Sequence, residues 1–163
     1  MPLEQADQRH LTAAQGYLEL EMYLEANDEL ERMTPEVHLF KEVLMVRCMI
    51  YYSLKKWELM QVVTKKLTEY SPDNTGYWIN LAYATRRTES NEAARQILLG
   101  VLPTHAGHSM IYYNLACYEC QLGNLEKAKV YLETALKIEP RCRTIALDDE
   151  DLQPLWDQLR IEM

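Results

Sequence analysis

A spacing of 34 residues runs along this chain, and it limits the fold more than any other feature. Pro35 and Pro103 lie 68 residues apart, and so do Pro72 and Pro140, which is twice 34. Side chains keep the same interval. Trp78, Asn80, Leu81, Ala82, Ala94, Leu98 and Leu102 return as Tyr112, Asn114, Leu115, Ala116, Ala128, Leu132 and Leu136. A period of this size is one helix pair, which cannot bury its apolar face alone and must stack on a copy of itself. Within the unit, Tyr112 and Leu115 share a helical face, and Ala116 and Ala128 are small where two axes approach. Gly123 falls between the two helical patterns, where the reversal needs positive φ. Leu125, Ala128, Leu132 and Ala135 then continue at helical spacing.

The stretch Tyr112 to Pro140 closely resembles a tetratricopeptide (TPR) repeat of the small bacterial kind, and residues 77–87 resemble the first helix of another. The framework of that family is W-x2-L-G-x2-Y, then A-x3-F, A and P. Repeat 109–142 meets it at Tyr112, Leu115, Ala116, Ala128, Leu132, Ala135 and Pro140, with Glu119 at the first-helix Tyr position. Repeat 75–108 keeps Trp78, Leu81, Ala82, Ala94 and Leu98. Repeat 41–74 keeps Leu44, Cys48, Tyr51 and Pro72 but departs at Arg47 and Met60, and repeat 7–40 keeps Ala14, Tyr17, Ala26 and Leu30. The resemblance implies an all-α, right-handed solenoid of about four repeats in one domain, residues 1–163, with a C-terminal cap at 143–163. Helices are expected at 4–20, 23–33, 36–53, 57–70, 75–88, 91–101, 108–122 and 125–138. Thr34 reads as the N-cap and Pro35 as the first residue of the third helix.

In the tail, Leu152, Leu155, Trp156 and Leu159 form an apolar face. Asp151 is expected to cap that short helix, and its seat is expected around Val130, Leu132 and Ala135. A repeat array needs such a cover on its last apolar surface.

The net charge of −8 disfavours a nucleic-acid partner, because an acidic surface repels phosphate. The uncharged run from Gln96 to Tyr118 is broken by Pro103, His105, Gly107, His108 and Asn114. It reads as two buried helix faces rather than a membrane span. No cationic stretch followed by an apolar one opens the chain, and four Cys in a chain with a large core fit a reducing, cytoplasmic setting.

Cys117 and Cys120 share a helical face near His105, His108 and Cys142, which raises a zinc or redox reading. The spacing offers no second ligand pair, so no cofactor or metal is expected. The paired carboxylates, including Asp148 to Asp151, read as solvated faces. No phosphate loop, nucleophile elbow or zinc-protease motif occurs, and no enzyme is expected.

In a TPR stack the first helix of each pair lines the inner groove. By register this places Leu11, Gln15 and Leu18, then Met45, Met49 and Tyr52, then Ile79, Tyr83, Arg86 and Arg87, then Tyr113, Cys117 and Cys120 on that face, flanked by Asn80 and Asn114. The cations of the family's carboxylate clamp are missing there. A chain with 11 Tyr, 3 Trp and 1 Phe is rich in half-apolar anchors. With the Met residues and the Arg86–Arg87 pair, this fits a groove for a peptide or helix of a partner protein, with apolar anchors and an acidic residue. The expected role is a non-catalytic adaptor or scaffold. A secretion-chaperone-like protein, a self-associating structural protein and a thiol or metal protein are the alternatives.

Overall fold

The computed structural model describes residues 2–161, and among them every regular element is helical. Contacts divide the chain into two compact units, residues 1–72 and 73–163. The first unit holds α1 (Gln5–Glu19), α2 (Tyr23–Glu31), a 3-10 turn (Pro35–Val37), α3 (Lys41–Ser53) and α4 (Trp57–Tyr70). The second holds α5 (Thr75–Thr88), α6 (Asn91–His105), α7 (Ser109–Gln121), α8 (Leu125–Ile138), α9 (Cys142–Asp148), a 3-10 stretch (Glu150–Leu155) and α10 (Trp156–Ile161). In each unit consecutive helices pack as pairs, and the first helix of one pair lies beside the first helix of the next: α1 by α3, α5 by α7.

The 34-residue spacing becomes layers of packing. Ala14, Cys48, Ala82 and Ala116, one per pair, are all buried, and so are Ala26, Met60, Ala94 and Ala128 on the second helices. Small residues let the axes approach, and Leu30, Leu98 and Leu132 fill the space beside them.

The reversals repeat as well. Glu21, Lys55 and Gly123, at the same register position, have φ of 59°, 55° and 79°. At each, the next amide reaches back to the carbonyl of the first-helix residue at the framework Tyr position: Met22 to Tyr17, Lys56 to Tyr51 and Asn124 to Glu119, at 2.8–2.9 Å. This is a Schellman closure, and it satisfies helix-end carbonyls that would otherwise be orphaned. In the third pair the corresponding residue, Glu89, keeps negative φ, and Ser90 instead caps α6 through its hydroxyl, which accepts from the Ala93 amide.

Three local expectations are corrected. Thr34 does not cap a helix at 36–53. Its amide and hydroxyl both donate to the buried Asp7 carboxylate, Pro35 opens a 3-10 turn, and α3 begins at Lys41. Pro103 does not end α6, which continues to His105. The proline is exposed in the last turn, where losing one helical bond costs least. In the tail, Asp149 rather than Asp151 provides the cap, accepting from the Asp151 amide at 3.0 Å. The helix α9 precedes it, and it has no counterpart in the expected map.

The C-terminal cap itself is present. Leu152, Leu155 and Leu159 are buried, and Trp156 is half-buried with its ring N–H donating to the Ala146 carbonyl at 2.8 Å. Leu132 and Leu136 line the seat with Leu155 and Leu159, whereas Val130, expected there, is 61% exposed. Residues 162 and 163 of the expected cap lie outside the described residues. Among the described residues no helix is long and apolar enough to cross a membrane; the run 96–118 is the end of α6 and most of α7.

Candidate functional site

In the first unit, α1 and α3 form an open cleft lined by Gln15, Leu18, Glu19, Glu42, Met45, Val46 and Met49. Met45 and Met49 are exposed, and Tyr52, one turn further along α3, is exposed at the face but braced edge-on by Trp57 at 6.0 Å. Leu11, by contrast, is buried. Exposed thioethers beside Leu18 make an adaptable apolar floor, and Glu19 and Glu42 give it an acidic margin.

In the second unit, α5 presents Ile79, Asn80, Tyr83, Arg86 and Arg87. Ile79 packs partly onto the core, and Arg87 donates to the Tyr83 hydroxyl at 3.0 Å with its guanidinium 5.3 Å from that ring's centre. Asn114 donates to the Met110 carbonyl one turn earlier on its own helix, at 2.8 Å. Tyr113, Cys117 and Cys120 of α7 are buried beneath the C-terminal segment.

That segment is held by named bonds. The Tyr113 hydroxyl donates to Asp149 at 2.8 Å, and the Cys117 thiol approaches the same carboxylate oxygen at 3.7 Å. Arg86 grips Asp151 through both terminal nitrogens, Nη2 reaching Oδ1 at 2.7 Å and Nη1 reaching Oδ2. Gln121 donates to the Asp151 carbonyl at 3.3 Å. Asp149 and Asp151 are therefore not the solvated carboxylates expected from the sequence. The Asp-x-Asp spacing close after the last repeat was the available signal, and only the fold shows what faces it.

The electrostatics follow. Hydrogen bonding to Asp151 holds the Arg86 guanidinium above its usual range, against the opposing effect of burial. Burial, with Asp149 and Asp151 adding to it, pushes the Cys117 thiol well above the normal thiol range, and burial raises Cys120 to about 11. Thiols so placed stay protonated near neutrality, the opposite of an activated nucleophile. The Cys117 sulfur and the two Asp carboxylates lie within 4.8 Å of one another, the group that could hold a cation among the described residues. The Arg86 guanidinium already supplies that positive charge. His105, His108, Cys120 and Cys142 do not join the group, and His105 turns its Nδ1 toward the Val101 carbonyl at 3.1 Å.

Helix pairs, a 34-residue register and left-handed Schellman turns define a helical-repeat fold. Residues 111–142 match the family model described as tetratricopeptide repeat. The chain is similar to the solved structure of MamA MSR-1, at 19% identity over 82% of this chain and 76% of that chain, with a TM-score of 0.70. It is similar to YrrB, described as a TPR protein with an unusual peptide-binding site, at 21% identity over 83% and 70% of the two chains, with a TM-score of 0.69. A MamA AMB-1 structure covers 94% of this chain and 82% of its own at 14% identity, with a TM-score of 0.67. No curated protein sequence matches the chain. Residues 111–142 thus form a tetratricopeptide repeat, and the fold of the chain is all-α and of the kind seen in those repeat proteins.

Proposed function

We propose that this chain is a non-catalytic protein-interaction module, an adaptor or scaffold of the bacterial cytoplasm that holds a peptide or helix of a partner on its first-helix faces. The observation that carries the reading is the cleft between α1 and α3, where Leu18, Met45 and Met49 offer apolar contact within an acidic margin. A folded surface leaves so apolar a floor open where something is to sit on it. Tyr52 extends that floor, and Ile79, Asn80, Tyr83 and Arg87 form the corresponding face of α5. Met adapts to irregular partners, and Tyr and Arg are typical anchors. Glu19 and Glu42 favour a partner segment whose apolar side chains are flanked by Lys or Arg. The peptide-binding site in YrrB's description supports a peptide ligand for this fold. Four buried free cysteines suit a reducing compartment.

The test is a photo-crosslinking residue at position 49 of the full chain, together with affinity capture by wild type and by the Met45→Glu, Met49→Glu double variant. A partner crosslinked at position 49 and lost from the double variant, with its helical circular dichroism unchanged, supports the reading. Capture of the same partner by both proteins overturns it. Light-scattering mass across a concentration series separates this role from self-association.

A further inference from the structure

The α5–α7 face is covered by residues 149–155 of the same chain. Tyr113, Cys117 and Gln121 stand at i, i+4 and i+8 on α7, one stripe of the helix, and Arg86 faces them from α5. All four act as donors here. Every acceptor they meet belongs to residues 149–151: two carboxylates and one backbone carbonyl. Immediately beyond, Leu152 and Leu155 are buried. We propose that this face is a recognition site for an acidic–apolar segment with the spacing Asp-x-Asp-Leu-x-x-Leu, that residues 149–155 occupy it as a built-in competitor, and that a partner protein carrying the same pattern displaces them.

The electrostatics set the ligand class. A face of donors with a guanidinium at one end favours carboxylates and rejects cations, and the bidentate fit of Arg86 fixes the second Asp in register. The requirement here is opposite to that of the α1–α3 cleft, whose margin is acidic.

The build of the segment makes displacement local. Its 3-10 geometry gives poorer backbone bonds than an α-helix. The elements on either side are fastened to each other. Trp156 donates to Ala146, and Arg143 donates to the Leu159 carbonyl at 3.1 Å, so α9 and α10 stay joined when residues 149–155 lift. The cost of opening is exposure of Leu152 and Leu155, which a ligand with Leu at the same two places returns. Occupancy by the tail lowers the apparent affinity of any outside ligand by the fraction of chains that are open.

The inference rests on the interaction-module reading but not on the α1–α3 cleft. The probe is a fluorescent synthetic peptide copying residues 146–156, with a twin carrying Asn at the two positions that copy Asp149 and Asp151. The protein is the full chain, as wild type and as the Asp149→Asn, Asp151→Asn double variant, in which Asn can still cap the 3-10 stretch. The acidic peptide should bind the double variant about tenfold more tightly than wild type, because its internal competitor is weakened. The twin should bind neither protein at that strength, and adding Arg86→Gln should return the affinity to the wild-type level or below. Equal affinity for both proteins, equal binding of the twin, or indifference to Arg86→Gln overturns the proposal. A second measurement on the wild-type chain stands if the variant fails to fold. Saturating peptide should speed amide exchange at residues 150–153 while α7 stays protected, and unchanged exchange under saturation overturns the proposal. The Met45→Glu, Met49→Glu chain should bind the peptide like wild type, so the two sites fail or succeed separately.

Discussion

Arg86 and Asp151, 65 residues apart in sequence, form a bidentate, half-buried ion pair that joins α5 to the C-terminal segment. The sequence marks Arg86 only by its place on a first helix. What it expects of a ligand, an acidic residue, is met here by the chain itself. Coupling between the two should therefore be measurable. In a double-mutant cycle of Arg86→Gln and Asp151→Asn, each single change should cost about 1.5–3 kcal/mol, since it removes charge-assisted bonds at groups shielded from water. The coupling should be on the order of 1–2 kcal/mol. Denaturant unfolding of the four proteins checks this, and additive costs would mean the pair does not act as a unit.

The left-handed turns make a second test. At Gly123 a Cβ would meet no neighbouring atom within 4 Å, so Gly123→Ala should suffer from backbone conformation alone, by about 1 kcal/mol. At Lys55 and Glu21 the same conformation is borne by residues with a Cβ. Lys55→Gly should then be neutral or stabilising by up to about 1 kcal/mol, the relief being partly offset by the greater freedom of the unfolded chain. Melting temperatures moving in opposite directions at 55 and 123 would bear this out. Gly123 was readable as a turn because glycine announces positive φ. Glu21 and Lys55 carry no such mark, and only the 34-residue register connects them to it.

The positions that break the family pattern are where sequence reading stopped, and the reason is pairing across helices. Glu119 stands at the first-helix Tyr position, where a charge looks misplaced. In the fold it is 2% exposed and accepts from Arg95 of α6 and Asn124 of the following turn. Arg47 is 7% exposed and donates to Glu31 and to the Tyr51 hydroxyl. Periodicity identifies apolar layers, but each of these buried ions is explained by a partner on another helix, Glu31 for Arg47 and Arg95 for Glu119, which the period does not supply. Arg95→Met should cost about 3–5 kcal/mol by stranding Glu119, and adding Glu119→Leu should recover most of it. If the double variant is no more stable than Arg95→Met, the cost lies in packing rather than in the stranded charge.

Burial also sets an alkaline limit. The Cys48 and Cys120 thiols are raised from 9.0 to about 11 by desolvation. A group whose folded pKa is raised stabilises the fold below its unfolded pKa, and that contribution falls as pH rises between the two values. Each thiol should therefore cost up to about 1.4 kcal/mol per pH unit between pH 9 and about 11. The Cys48→Ser, Cys120→Ser chain should lose less stability over that window than wild type. Parallel pH profiles would contradict the assignment.

The C-terminal cap offers a ranking that size and burial order differently. Trp156 looks like the dominant residue of the tail by size, yet it is only half-buried, while Leu152 is fully buried and Leu155 is 2% exposed. The indole instead ties α10 to α9 through its bond to the Ala146 carbonyl. Truncating a fully enclosed Leu removes its transfer energy and leaves a cavity, so Leu152→Ala should cost about 3–4 kcal/mol. Trp156→Ala, at a site already open to water, should cost less, about 2 kcal/mol, and Trp156→Phe should keep part of the packing while losing the bond. In an array where neighbours support one another, the damage from Leu152→Ala should appear first in α7 and α8, the helices of the last repeat that touch the 3-10 stretch alongside α9 and α10. Amide exchange resolved by helix, alongside the unfolding free energies, decides the matter. A larger loss for Trp156→Ala than for Leu152→Ala would restore the tryptophan as the centre of the cap and leave the 3-10 stretch a secondary part of it.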